Sequence, residues 1–236
     1  NSQVAVFGCL CNGKYASLVD SRLYLPESWC KDTARCNEAG IPIEERGFKT
    51  KQILAIDIIK HQLSLGISFD YVGADGLYGN DAAFARSINN LGLIYMLDIH
   101  SDQTIFLQKP ELKLPERKSA KGPSPKRLKA STPDTTASKY VKGLKSTEWK
   151  TIDIRHSSKG VLKGRFHFRT VYVWDKNINS VEERLLVVSS RKTKDGEEIK
   201  YSFTNANLAQ YTEQVIAYMQ AQRFFIEHSF KEQKQI

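Results

Sequence analysis

The chain has 236 residues, enough for one large domain or two small ones with a sizeable buried core. Its composition, 41% hydrophobic and 26% charged, is that of an ordinary globular protein, and no apolar run approaches the roughly 20 residues that cross a bilayer. The sequence starts at Asn1 with neither an initiator Met nor the basic start of a secretory signal. These features argue against secreted and membrane-spanning proteins, and we expect an internal piece of a longer cytoplasmic protein.

The net charge of +9 is concentrated in one part of the chain. Between Lys109 and Arg169 there are 17 Lys and Arg against five Asp and Glu, a local surplus of +12 that leaves −3 for all other residues. A basic segment of this kind indicates a polyanionic partner such as nucleic acid. An acidic membrane surface is the alternative, but no amphipathic helix with a large apolar face accompanies the charge.

The first elements are a hairpin and a helix. Gln3–Leu10 is an apolar strand by composition, and Lys14–Val19 is its expected partner across the Asn12-Gly13 turn. Lys49–Leu65 has the periodicity of an amphipathic helix. Its predicted inward-facing residues are Ile53, Ile56, Ile59 and Leu63.

A carboxylate follows the next predicted strand, Ser68–Ala74. A helix over Ala82–Leu91 and a strand over Leu93–Ile99 come after it, so the order predicts an α/β fold with a sheet that is at least partly parallel. Ligands gather at the carboxyl ends of strands in such sheets, and Asp75 stands at one of these ends. A capping role for this side chain is the alternative.

The basic segment begins with an arm, Lys109–Lys129, which holds four prolines and is expected to be extended. Three β-rich stretches follow at Trp149–Arg155, Gly164–Trp174 and Glu183–Ser189. Alternation along the second stretch places Arg165, His167 and Arg169 on one face.

The last segment, Gln222–Ile236, contains no Gly or Pro and is predicted to be a helix. Arg223, Glu227 and Lys234 are four and seven residues apart and fall on one face. A solvated lattice of ion pairs is the ordinary explanation of such a face. The alternative is a carboxylate that holds a metal while the cations hold phosphates.

Three blocks, in this order, resemble a known family. RLYLPESW (Arg22–Trp29), VGADGLYGND (Val72–Asp81) and the Arg-x3-Glu-x6-Lys spacing of the last segment are similar to blocks of DDE-class insertion-sequence transposases. These enzymes are named for their Asp, Asp and Glu metal ligands. The chain is most similar to the cut-and-paste group whose last motif is Tyr-x2-Arg-x3-Glu-x6-Lys, and the resemblance covers essentially the whole chain.

The resemblance implies an α/β, RNase H-like core interrupted by a β-rich basic insertion. Residues 1–108 would form the first part of the core, 109–206 the insertion, and 207–236 the Glu helix that completes the core. Asp75 and Glu227 would then converge as the catalytic metal ligands, with two Mg²⁺ or Mn²⁺ ions expected. The implied reaction is hydrolysis of a DNA phosphodiester at the transposon end, followed by strand transfer.

The implied partner is double-stranded DNA, with a homodimer in a synaptic complex on the bacterial nucleoid as a further expectation. Arg223 and Lys234 would bind phosphates near the cut. The other expected DNA contacts lie in the basic insertion, at Lys126, Arg127, Arg165 and Arg169. Three aromatic residues there would either stack on an unpaired base or fill the core: Trp149, Tyr172 and Trp174.

The sequence departs from the family's pattern in two ways. Gln220 stands where the motif has its Tyr, which removes one expected DNA contact. The family's first Asp belongs on a strand upstream of Asn1. Asp20, Asp57 and Asp70 are not at the end of a suitable strand, and Asp20 in particular is expected to be structural.

Three functions remain open on this evidence from sequence. The first is a transposase core that lacks its first Asp and cleaves poorly by itself. The second is a non-catalytic, DNA-binding remnant or domesticated copy of the same fold. The third is a nuclease or resolvase that cuts without strand transfer, and an assay for joined products separates it from the first.

Overall fold

A computed structural model of the chain describes residues 3–13, 15–116, 125–157, 160–193 and 196–233. It confirms the predicted mixed α/β class. The strands are β1 (Val4–Cys11), β2 (Ala16–Tyr24), β3 (Tyr71–Ala74), β4 (Ile94–Asp98), β5 (Thr104–Ile105), β6 (Leu112–Lys113), β7 (Lys129–Ala130), β8 (Thr135–Thr136), β9 (Lys150–Ser157), β10 (Gly160–Asp175), β11 (Ser180–Thr193) and β12 (Gly196–Thr204). The helices are α1 (Glu27–Cys30), α2 (Thr33–Glu38), α3 (Lys51–Ser64), α4 (Gly76–Gly79), α5 (Ala82–Asn90), α6 (Ala137–Lys142), α7 (Glu213–Ala221) and α8 (Phe224–Gln233). In these ranges no helix has both the length and the apolar character needed to cross a membrane.

One large sheet organises the described part of the chain, with six strands in the order β3-β4-β12-β11-β10-β9. β3 and β4 are parallel, with Ala74 opposite Leu97, as a strand–helix–strand crossover through α5 requires. The other neighbours are antiparallel, and β12 joins β4 with Phe203 opposite Leu97. The β-rich strands after residue 149 therefore extend the same sheet that carries Asp75.

Both faces of this sheet are covered. On one face α3, α5 and α6 pack over a core that includes Ile88, Leu97 and Leu186. On the other face α7 packs over a second core that includes Phe166, Val187 and Ile216. Neighbouring residues such as Leu186 and Val187 point to opposite cores because side chains alternate along a strand.

The β1–β2 hairpin forms with the predicted turn, and it is a separate two-stranded sheet. Helix α3 lies between this hairpin and the first core, and its buried residues are Leu54, Ile58, Ile59 and Gln62. The prediction that Ile53 faces inward is wrong, because that side chain is 48% exposed. Contact with Val6 of the hairpin rotates the buried face of the helix toward Leu54 and Ile58.

The helix predicted over Gln222–Ile236 is present as α8, which begins two residues later, at Phe224. Two helices, α7 and α8, are separated at Gln222 and Arg223, and residues 234–236 lie outside the described ranges. The basic arm is more regular than expected, because β6 and β7 pair with each other near its two ends. Strand β12 and helix α6 were not predicted from the sequence.

Candidate active site

The parallel pair β3–β4 brings two aspartates to one edge of the sheet. Ala74 lies opposite Leu97, so the residues that follow, Asp75 and Asp98, leave their strands side by side. Asp75 is exposed, while the Asp98 side chain is only 18% exposed. Their proximity is electrostatically significant, since the charge of Asp75 contributes to raising the pKa of Asp98. The sheet edge at which we expected a functional carboxylate therefore carries two.

The loop after Asp75 is clamped against the end of β4. The Asp75 side chain accepts a hydrogen bond from the Leu77 N–H at 3.0 Å, which starts the short helix α4. Gly79 lies so close to β4 that an added Cβ would overlap the carbonyl oxygen of Asp98. The amide N–H of His100 donates to Asn80 Oδ1 at 3.2 Å. These contacts hold the Asp75 loop on the strand that carries Asp98.

Asp98 is a carboxylate with a partner on β12 and another in the break between α7 and α8. Its Oδ1 accepts a hydrogen bond from the Ser202 hydroxyl of β12 at 2.7 Å, and its Oδ2 lies 2.6 Å from Nε of Arg223. Burial raises the pKa of Asp98, against the hydrogen bond from Ser202 and the positive charges of Arg223 and Lys200. A carboxylate kept in this environment despite the cost of burial is a candidate for function.

Arg223 connects Asp98 to Glu227. Its NH1 lies 2.9 Å from Glu227 Oε1, and the Arg223 side chain is 24% exposed. Arg223 stands in the break between α7 and α8, so one guanidinium reaches the sheet edge and the first turn of α8 together. The Glu227 side chain is 56% exposed and meets the sheet through this arginine.

The position that the family's motif gives to Tyr is occupied by a buried residue. Gln220 is 5% exposed, and its Nε2 donates to the Val187 carbonyl at 3.2 Å and to the Ser202 hydroxyl at 2.9 Å. Its amide thus binds the sheet through β11 and β12 and does not face a DNA ligand.

The described contacts of the two predicted metal ligands are separate. Asp75 bonds within its own loop through Oδ1, and Glu227 pairs with Arg223 through Oε1. Among the residues that the structure describes, no three His, Cys, Asp or Glu side chains are grouped closely enough to hold a metal ion. Each carboxylate keeps its second oxygen free of described protein partners, so the donors suit Mg²⁺ or Mn²⁺ in kind but are few in number.

The other predicted DNA contacts lie away from this edge. Lys126 and Arg127 are exposed just before β7, and Arg165 and Arg169 are exposed on β10. Arg165 lies over the Trp149 ring, 5.2 Å from its centroid, and is 3.9 Å from Glu197. Lys234 lies outside the described residues.

Sequence reasoning missed Asp98. The rule that selects Asp75, a carboxylate directly after a predicted strand, does not select Asp98, because Asp98 lies inside the predicted strand Leu93–Ile99. In the structure β4 ends at Asp98. The pairing of Asp98 with Arg223 joins residues far apart in the chain, and no local sequence pattern predicts it.

A family model described as DDE superfamily endonuclease matches residues 1–161. This range includes the hairpin, the parallel pair β3–β4, and both Asp75 and Asp98. Nucleases of that superfamily act on DNA and generally use divalent metal ions. No curated protein matches the chain in a sequence search.

Proposed function

Since the chain belongs to the DDE superfamily of endonucleases, we propose that it is the catalytic core of a DNA transposase, with an RNase H-like fold extended by a β-rich basic insertion. Its substrate would be double-stranded DNA at transposon ends and target sites, bound by a homodimer in the bacterial cytoplasm. The reaction would be phosphodiester hydrolysis followed by strand transfer. The observation that carries the proposal is Asp75 at the carboxyl end of a parallel strand pair, inside the range that the family model matches.

In this function Asp75 and Glu227 would hold the metal, each through the oxygen that has no described protein partner. Divalent ions bound there would activate the nucleophile and stabilise the leaving oxygen of the phosphodiester. Nε and NH1 of Arg223 lie against the carboxylates of Asp98 and Glu227, and NH2, which has no partner among the described residues, would bind a phosphate. Lys234 is proposed as a second phosphate contact.

A third carboxylate would come from a strand that fits between β1 and β3. In the described part of the chain, β1 pairs only with β2, and β3 is the edge of the large sheet, so each has an unpaired edge. Burial raises the pKa of Tyr71 on β3, and the charge of Cys11 at the end of β1 adds to this, so the two residues are near each other. Gln222 is 4% exposed, and neither its amide nitrogen nor its amide oxygen has a described hydrogen-bond partner. Its side-chain amide would hydrogen-bond to the backbone of such an added strand.

The test is a crystal of this chain soaked with Mn²⁺. Oxygens that share one ion lie within roughly 4 Å of each other, since each metal–oxygen distance is near 2 Å. We expect anomalous density bridging Asp75 and Glu227 after a rotation of the exposed Glu227 side chain. Carboxylates that stay more than about 10 Å apart, with no metal between them, would contradict the assignment.

The absence of a three-ligand group among the described residues favours a second candidate, a non-catalytic DNA-binding copy of the same fold. A site with two carboxylates holds two ions poorly, so we expect this chain by itself to bind DNA and to nick it weakly or not at all. Nicking of supercoiled plasmid with Mg²⁺ is the measurement. Robust nicking by the 236-residue chain that Asp75→Asn and Glu227→Gln abolish would show that the chain is catalytically competent and would exclude the second candidate.

A further inference from the structure

Asp98 lies in a rigid part of the molecule. It ends β4, which is hydrogen-bonded to β3 on one side and to β12 on the other. Its Oδ1 accepts from the Ser202 hydroxyl, which in turn accepts from the buried Gln220 amide of α7. The orientation of this carboxylate is therefore set by three elements of the fold.

Arg223 lies outside the regular hydrogen-bonded elements that hold Asp98. It occupies the break between two helices, where the i to i−4 hydrogen bonds of a continuous helix are interrupted. The two described partners of its guanidinium are Asp98, at 2.6 Å, and Glu227, at 2.9 Å. Of these two, Asp98 is on the sheet and 18% exposed, whereas Glu227 is 56% exposed. The better-fixed partner is Asp98.

We propose that Asp98 is a positioning residue, which holds Arg223 and, through Arg223, the carboxylate of Glu227 at the sheet edge where Asp75 lies. The contact between α8 and the sheet edge is then an ion-pair relay, Asp98–Arg223–Glu227, whose anchor is on β4. Without the anchor, Arg223 would pair with Glu227 alone, and neither side chain would be fixed at the edge, while Phe230 and Ser229 still hold α8 on the hairpin. The consequence for metal binding rests on the proposed function, whereas the relay itself does not.

The relay can be tested by NMR on the whole chain. The side-chain Nε–H of Arg223, identified by its loss in Arg223→Lys, is expected to exchange slowly with water because Nε is buried against Asp98. In Asp98→Asn we expect this signal to shift and to exchange rapidly, and the α8 amides to exchange about tenfold faster. Asp102→Asn is the matched control. It removes the same charge, but from an exposed side chain that lies four residues after Asp98.

The effect on the site is measured by Mn²⁺ titration followed by EPR. Mutation of residues that orient metal ligands typically weakens metal binding about 10–100-fold, so we expect at least a tenfold loss in Asp98→Asn and none in Asp102→Asn. If Asp98→Asn does not fold, Arg223→Lys tests the same relay, because a single ammonium cannot bridge both carboxylates as the guanidinium does. In that variant the α8 amides should again exchange faster.

The outcomes are distinguishable. A wild-type Arg223 signal and wild-type α8 exchange in Asp98→Asn would overturn the positioning role. A changed Arg223 signal together with an unchanged Mn²⁺ affinity would show that Asp98 positions Arg223 but does not position Glu227 for metal binding. If the signal changes and the wild-type chain binds no Mn²⁺ at all, the relay stands and the proposed assignment of Asp75 and Glu227 as metal ligands fails.

Discussion

Asp20 and Asp98 are both largely buried aspartates, and their pKa values are shifted in opposite directions. Burial raises the pKa of each. At Asp20 this is outweighed by hydrogen bonds from His61, Arg22, Ser21 and Gln62, which hold its pKa at about 2. At Asp98 the hydrogen bond from Ser202 and the charge of Arg223 do not outweigh burial. Asp20 therefore stabilises the fold as an anion, as expected of a structural residue, while Asp98 costs stability at neutral pH.

Asp20→Asn is expected to lower the free energy of unfolding by about 1–3 kcal/mol at pH 7, because it weakens a partly exposed charge network that joins the hairpin to α3. The depressed pKa of Asp20 gives stability that is present above the unfolded-state value near 4 and is lost as the pH falls toward 2. Urea unfolding at pH 7 and near pH 2 measures both effects. The difference between wild type and variant should shrink at the lower pH. A pH-independent difference would show that the charge of Asp20 is not the cause.

At the scale of elements, the contact of α4 with β4 places the Asp75 loop. The helix can lie against the strand only because Gly79 has no side chain, since a Cβ there would overlap the Asp98 carbonyl oxygen. Asp75 and Asp98 are thus kept side by side by the close approach of two backbones.

Gly79→Ala is expected to push α4 off β4 and to lower the free energy of unfolding by about 1–3 kcal/mol, as overpacking of a buried site does. Thermal unfolding measures the loss. Gly47→Ala is the matched control, because no atom lies within 4 Å of a Cβ added there. Equal melting temperatures for the two variants would mean that α4 moves freely and does not fix the Asp75 loop.

At the scale of the whole molecule, the large sheet connects the candidate active site with the basic segment. Leu97, Phe203, Leu186 and Arg169 lie in one row across β4, β12, β11 and β10. With strands roughly 4.8 Å apart, Arg169 is about 14 Å from Leu97 across the sheet. Under the proposed function, a DNA backbone at the sheet edge would reach the basic residues of β10 within a few phosphates.

DNA binding is expected to weaken steeply with salt, because the contacts are to phosphates. A plot of log K against log salt concentration should lose about two units of slope in the double variant Arg165→Gln, Arg169→Gln. Lys31→Gln, Lys60→Gln is the control, since both lysines are exposed and lie outside the basic segment. Fluorescence anisotropy between about 50 and 200 mM salt makes the measurement. Equal slopes for the two double variants would exclude β10 as the contact surface.

The sequence by itself determined the local elements that precede the basic segment. Turn residues, periodicity and helix stop signals act within a few residues, so the hairpin, α3, α5 and the parallel pair β3–β4 could be predicted. The same local rules placed Asp75 at the end of a strand. The excess of positive charge between Lys109 and Arg169 also follows directly from the sequence, because it requires no knowledge of the fold.

Tertiary structure alone decided how these elements meet. The face of α3 is set by Val6 of the hairpin, which is why Ile53 is exposed. The break before α8 carries no Gly or Pro, and it coincides with the pairing of Arg223 with Asp98. Such contacts join residues that are distant in the chain, and their free energy appears only when both partners are in place. For that reason the relay from Asp98 to Glu227 could be found in the structure and not in the sequence.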